Sequence, residues 1–132
     1  MEYTRLANRD RFERERNFVV FYGRGHEKEL SLFDVVVLEE KARSMSDVYS
    51  IRVGGSIAIA YFSLLEVAPG EDVSSAQPAD FLSINGLPVF ETNTRNRIID
   101  PRSQFFRMRA LRETTRLLHQ GFDGVFIDTI DD

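Results

Sequence analysis

Four short apolar runs are spaced along the chain, and none of them alternates apolar with polar residues. They are Phe18-Val19-Val20-Phe21-Tyr22, Val35-Val36-Val37-Leu38, Ile57-Ala58-Ile59-Ala60-Tyr61-Phe62 and Val125-Phe126-Ile127. Unbroken runs rich in β-branched and aromatic residues predict strands covered on both faces, as in a parallel sheet. Parallel neighbours need crossover connections, and the intervening segments can supply them. Helices are expected over residues 26–32 and 46–52, the second with Val48 and Ile51 inward and Gly54-Gly55 ending it.

The longest helix is expected over residues 101–120. Asp100 would be its N-cap, the carboxylate accepting from orphan amides. Pro101 would take the first helical position, where a missing N–H costs nothing. Gly121 would stop the helix in the left-handed conformation. Phe105, Met108, Leu111, Thr115 and Leu118 mark the expected inward face. Residues 69–89, rich in Ser, Pro, Ala and Gly, read as one long loop. Residues 1–16 read as a charged, partly helical lead-in, with Arg9–Glu13, Asp10–Arg14 and Arg11–Glu15 each four apart. Residues 17–132 read as one α/β domain of four βα units on a parallel sheet.

Composition narrows the chemistry. The 132 residues suffice for one compact domain. The chain has no cysteine, which removes disulfides and thiolate metal sites. A net charge of −4 argues against general affinity for nucleic acid or anionic lipid. No apolar run reaches the roughly 18 residues of a transmembrane helix. The N-terminus carries no apolar signal segment, so the default expectation is a cytoplasmic protein. His26 and His119 have no Cys or His partner nearby and read as structural.

The acids fall where a parallel α/β fold builds its sites. Glu39, Glu66 and Asp128 each lie at or just past the C-terminal end of a predicted strand. Tyr22-Gly23 ends strand one on the same rim, and Gly23 would allow a ligand close to the backbone. Tyr61 and Ser63 near the end of strand three, and Asp131 beyond Asp128, complete the candidate substrate-binding set with Tyr22, Gly23 and Glu39.

Four blocks carry a resemblance. They are Tyr22-Gly23 after its strand, Phe33-Asp34-Val35-Val36-Val37-Leu38-Glu39, residues 59–70 with Ser63-Leu64-Leu65-Glu66, and residues 121–131 with Gly121-Phe122-Asp123-Gly124 leading to Asp128. In order and spacing the chain resembles the endo-α-1,4-polygalactosaminidase-like glycoside hydrolases, over roughly Asn17 to its end. The resemblance implies the first half of a (β/α)8 TIM barrel and hydrolysis of amino-sugar polysaccharides. It implies that Asp128 is the nucleophile or charge stabiliser and that Glu66 is a second catalytic-centre residue close to substrate. The family's other catalytic carboxylate belongs to a later strand.

Three departures stand out. Leu65 replaces the family's Gly before the strand-three glutamate, Glu39 replaces an Asp, and no tryptophan stands in the long loop, where Phe81 and Phe90 are the aromatic substitutes. A complete barrel has eight strands in about 250 residues. Glycoside hydrolysis needs two carboxyl groups, about 5–5.5 Å apart for retention and about 6.5–9.5 Å for inversion. The expectation is therefore activity only when a second copy or a complementary half-barrel completes the sheet, with carbohydrate as ligand and no cofactor or metal. Two other readings compete: a non-catalytic glycan-binding or assembly module, and a Mg²⁺-dependent phosphoryl-transfer enzyme using Glu39, Glu66, Asp128 and Asp131.

Overall fold

A computed structural model describes residues 10–14 and 17–130. The pairs Arg9–Glu13 and Arg11–Glu15, and Asp131, therefore lie outside the described residues. Of the lead-in pairs, Arg14 reaches Asp10 through its Nε, which donates to the backbone carbonyl at 3.2 Å rather than to the carboxylate.

The chain runs β1 (Phe18–Phe21), α1 (Glu27–Leu30), β2 (Val35–Leu38), α2 (Met45–Val53), β3 (Ile57–Ser63), four short strands, α3 (Gln104–His119) and β8 (Gly124–Asp128). The short strands are β4 (Glu66–Val67), β5 (Ser83–Ile84), β6 (Leu87–Pro88) and β7 (Arg97–Ile98). The principal sheet has the order β1-β2-β3-β8. β1 pairs with β2, and β2 with β3, in parallel, with Phe21 opposite Leu38 and Leu38 opposite Ala60. Asp123 N–H donates to the Ala58 carbonyl and Leu64 N–H to the Asp128 carbonyl, so β8 ascends beside β3 in the same direction. The architecture is the parallel α/β arrangement expected.

The chain divides into two compact units. The first comprises Met1–Phe62 and Thr114–Phe126. Its core is built by Leu30, Val36, Leu38, Val48, Ile51, Ala58, Ala60, Leu117 and Phe122. Period-two alternation sends Val36, Leu38, Ala58 and Ala60 to this helix-covered face and Val35, Val37, Ile57 and Ile59 to the other. α2 starts in a reciprocal capping box between Ser44 and Asp47, and the Ser44 N–H holds the Asp47 carboxyl below its ordinary range. Val48 and Ile51 are buried as expected. Burial on both faces is complete only for β2. At the sheet's two edges Phe18 is 70% and Phe126 44% exposed, because among the described residues no strand flanks either.

One carboxylate ties the base of this unit. Asp123 accepts from Ala58 N–H at 3.0 Å and from Arg52 Nε at 3.1 Å and Nη2 at 2.8 Å. Its side chain is 3% exposed, so it joins the end of α2, the start of β3 and the approach to β8 out of water.

The second unit comprises Ser63–Glu113 and Ile127–Asp132. β4 pairs with β7 and β5 with β6, both antiparallel. Val67, Phe81, Ile99 and Phe106 form its core, joined by Leu65, Val73, Ala76 and Phe105. The stretch 69–89, read as one loop, instead holds a 3-10 turn at Pro78–Asp80 and the β5–β6 hairpin. Asn85 and Gly86 turn that hairpin with φ of 52° and 77°, the pair of positive values that a tight two-residue turn requires.

The long helix differs from its sequence reading in start and in phase. It begins at Gln104, not Pro101, because Ser103 is the cap: its Oγ accepts from Phe106 N–H at 3.1 Å and donates to Asp80 at 2.7 Å. Asp100 is engaged by Arg102 instead, whose side chain and backbone N–H hold the Asp100 carboxyl down at about 2. The buried positions are Phe106 and Leu117, whereas Met108, Leu111 and Thr115 are exposed. Phe106 packs into the second core and Leu117 into the first, each one residue out of phase with the expected face and in opposite senses.

Replacing Asp123 with Ala would leave the partly buried Arg52 guanidinium and the Ala58 N–H without their acceptor. Urea denaturation should show a loss of about 3 kcal/mol.

Candidate functional site

In the first unit, three of the predicted residues stand at one level. Phe21, Leu38 and Ala60 are in register, and Tyr22, Glu39 and Tyr61 are the next residue along each strand. Alternation turns these three away from the helix-covered face. Tyr22 and Tyr61 meet edge to face with centroids 5.6 Å apart, and Tyr61 stacks on Phe126 at 6.3 Å with 24° between planes. Phe126, absent from the sequence-derived set, thus extends an aromatic row along the open face. Its signal was available: it lies two residues before Asp128, on the same face by strand period. Glu39 is exposed beside this row.

Gly23 has φ of 127°, a conformation that side chains resist, so the chain leaves β1 through a turn that only glycine adopts without strain. Beyond it, the loops after β1 and β2 are fastened together by Arg43, whose side chain is fully enclosed. Its Nη1 donates to the Gly25 carbonyl and to Glu27, both at 2.9 Å, and its guanidinium lies 5.4 Å from the Phe21 ring centroid. Sequence reading missed Arg43, since an arginine in a charged loop carries no sign of burial.

In the second unit, Asp128 is the last residue of β8 and is partly buried. Its carbonyl accepts from Leu64 N–H at 3.1 Å. Ser63 and Thr129 hydroxyls lie 2.9 Å apart, and Thr129 Oγ1 also accepts from Leu65 N–H at 3.3 Å. Glu66, at the start of β4, is 8% exposed, and Asn96 Nδ2 donates to its Oε2 at 2.6 Å. Asn96 was not anticipated because its contact depends on the β4–β7 pairing, thirty residues away in sequence. Leu65, which stands where the resembled family has Gly, packs into the second core. Phe81, offered as a sugar-stacking substitute, is buried beneath the Arg97 guanidinium, 3.6 Å from its ring centroid; Phe90 remains half exposed.

A groove of about 590 Å³ in this unit is lined by residues including Asp72, Phe105, Met108 and Arg109, and it holds none of the predicted site residues. Arg109 there is engaged by Glu71. The Mg²⁺ reading needs Glu39, Glu66, Asp128 and Asp131 to converge, but among the described residues no three His, Cys, Asp or Glu side chains gather to hold a metal ion. Among the described residues no helix is long and apolar enough to cross a membrane.

Comparison with known proteins places this arrangement. No family model matches the sequence, and no curated protein matches it. Solved structures do. The glycoside hydrolase domain of PelA from Pseudomonas aeruginosa superposes with a TM-score of 0.75 at 26% identity over 89% of this chain, and a variant of that domain does so at 28% identity. Ega3 from Aspergillus fumigatus, solved with galactosamine, superposes with a TM-score of 0.72 over 87% of this chain at 14% identity, a likeness of fold. The chain spans 46% of the PelA domain and 44% of Ega3. It is therefore similar to part of a glycoside hydrolase domain, matching the half-barrel expected.

The Asn96–Glu66 contact invites a direct test. Asn96→Ala removes a donor from a buried carboxylate, and thermal unfolding should register a loss of about 1–3 kcal/mol. Glu66→Gln in the same background should recover part of it, because a neutral amide needs less solvation than a charge.

Proposed function

We propose that this chain supplies the substrate-holding half of a glycoside hydrolase acting on amino-sugar polysaccharides, with Asp128 as nucleophile or charge stabiliser. The observation that carries the reading is an aspartate ending a parallel strand beside β3, in a chain similar to a PelA glycoside hydrolase domain. Glu66 holds substrate or orients its neighbours; its burial and its Asn96 partner suit a fixed acceptor better than a mobile acid. Tyr22, Tyr61 and Phe126 offer flat faces to sugar rings, with Glu39 an exposed acceptor for an ammonium or hydroxyl beside them. Gly23 and Ser63 complete the substrate-binding set, and Asp131 joins it from the sequence pattern alone.

Chemically, the carboxylate would stabilise the oxocarbenium-like transition state while a second carboxyl group protonates the leaving oxygen. Closure of the eight-stranded sheet would supply that group, through a second copy or a complementary half-barrel. The exposed apolar side chains on the sheet's two edges, Phe18 and Val20 on β1 and Phe126 and Ile127 on β8, support such a partner.

With a galactosamine polymer as substrate, Asp128→Asn should lower hydrolysis at least about 10²-fold while leaving carbohydrate binding in place. Tyr61→Ala should instead weaken binding about 3- to 10-fold, the scale of one aromatic contact. Binding without hydrolysis in the unaltered, fully assembled protein would favour the second reading, a non-catalytic glycan-binding module.

Light scattering on the 132-residue chain alone should give twice its 15.2 kDa mass. A monodisperse and stable monomer would count against completion by a second copy.

A further inference from the structure

Thr129 adopts φ of +58°, in the left-handed region. A β-branched residue is a genuine outlier there, since its Cβ substituents crowd the backbone. Such conformations persist only where surrounding contacts hold them, and they concentrate where geometry serves function. Here the holding contacts are explicit. Thr129 Oγ1 lies 2.9 Å from Ser63 Oγ and accepts the Leu65 N–H at 3.3 Å. One step earlier, the Asp128 carbonyl accepts the Leu64 N–H at 3.1 Å.

The arrangement has a consequence for the two acids. Thr129 follows Asp128 directly in the chain, and through its hydroxyl it grips the amide of Leu65, the residue before Glu66. Glu66 is held on its other side by pairing with Ile98 and by Asn96. A single side chain is thus one residue from each carboxylate.

We propose that Thr129 is a positioning residue that sets the relation of the Asp128 and Glu66 carboxyl groups by latching the ends of β3 and β8 together. The inference rests on the glycosidase reading for its purpose, but its geometry stands without it. The left-handed turn ends β8 at Asp128 by redirecting the chain, and the hydroxyl latch fixes where the turn lies. Serine can make both hydrogen bonds. Valine keeps the shape and the strain but makes neither bond. Glycine makes neither bond but occupies the left-handed region freely.

The test follows the carboxyl ¹³C signals of Asp128 and Glu66 by NMR as pH is varied, in the full chain and in Thr129→Ser, Thr129→Val and Thr129→Gly, with melting temperatures measured in parallel. The expected result is unchanged titration in Thr129→Ser and midpoints displaced by about half a unit or more in both Thr129→Val and Thr129→Gly. Thr129→Gly should melt above Thr129→Val, having shed the strain, yet share its displaced titration. If titration in Thr129→Gly matches the unaltered protein, the latch does not position the acids and the proposal is overturned. Hydrolysis of a galactosamine polymer is followed separately. Absence of turnover in the unaltered, assembled protein would strike the functional reading alone, because the titrations still decide the role of Thr129.

Discussion

The parallel sheet depends on a carboxylate at its base. A parallel pair has no hairpin to fix its register, so the register must be set by packing and by specific polar contacts where strands begin. Asp123 does this: it binds the start of β3 through the Ala58 amide and the last turn of α2 through Arg52, while its own amide begins the β3–β8 ladder. With that corner fixed, β8 ascends beside β3, and Asp128 falls at its far end by counting residues.

How much of this was legible follows from the kind of interaction involved. The four strands, their order of appearance and the two faces of α2 were readable, because each is written in a contiguous run or a local period. The positions of Asp128 at the end of β8 and Tyr61 near the end of β3 were readable for the same reason. The start of α3 was not. Asp100-Pro101 is as good a local cap as Ser103, and the decision came from Asp80, which engages the Ser103 hydroxyl from far along the chain. The phase of α3 failed likewise, since its two ends pack into different cores and the local period does not encode which side chain each core receives. The β5–β6 hairpin was a missed local signal: Asn85-Gly86 announces it, but Ser- and Pro-rich surroundings hid the two-residue strands on either side. Asn96 and Arg43 make contacts through pairings that no local pattern encodes, whereas the place of Phe126 could have been read from the strand period before Asp128.

The two units differ in the character of their strand-end side chains. In the first these are aromatic, with Tyr22 and Phe126 exposed and Glu39 accessible, while Arg43 is enclosed against Gly25, Glu27 and Phe21. In the second they are polar, interlocked and largely shielded, with strain at Thr129 maintained by two hydrogen bonds.

The unflanked borders of the principal sheet are unlike one another: β1 offers Phe18 and Val20, and β8 offers Phe126 and Ile127. Unlike borders running in one direction join head to tail, and head-to-tail contacts form either rings or filaments. Strong curvature would close the ring after two copies, at the eight strands of a barrel. A flatter sheet would leave a free border after every addition, and the same contacts would then build a fibre without end.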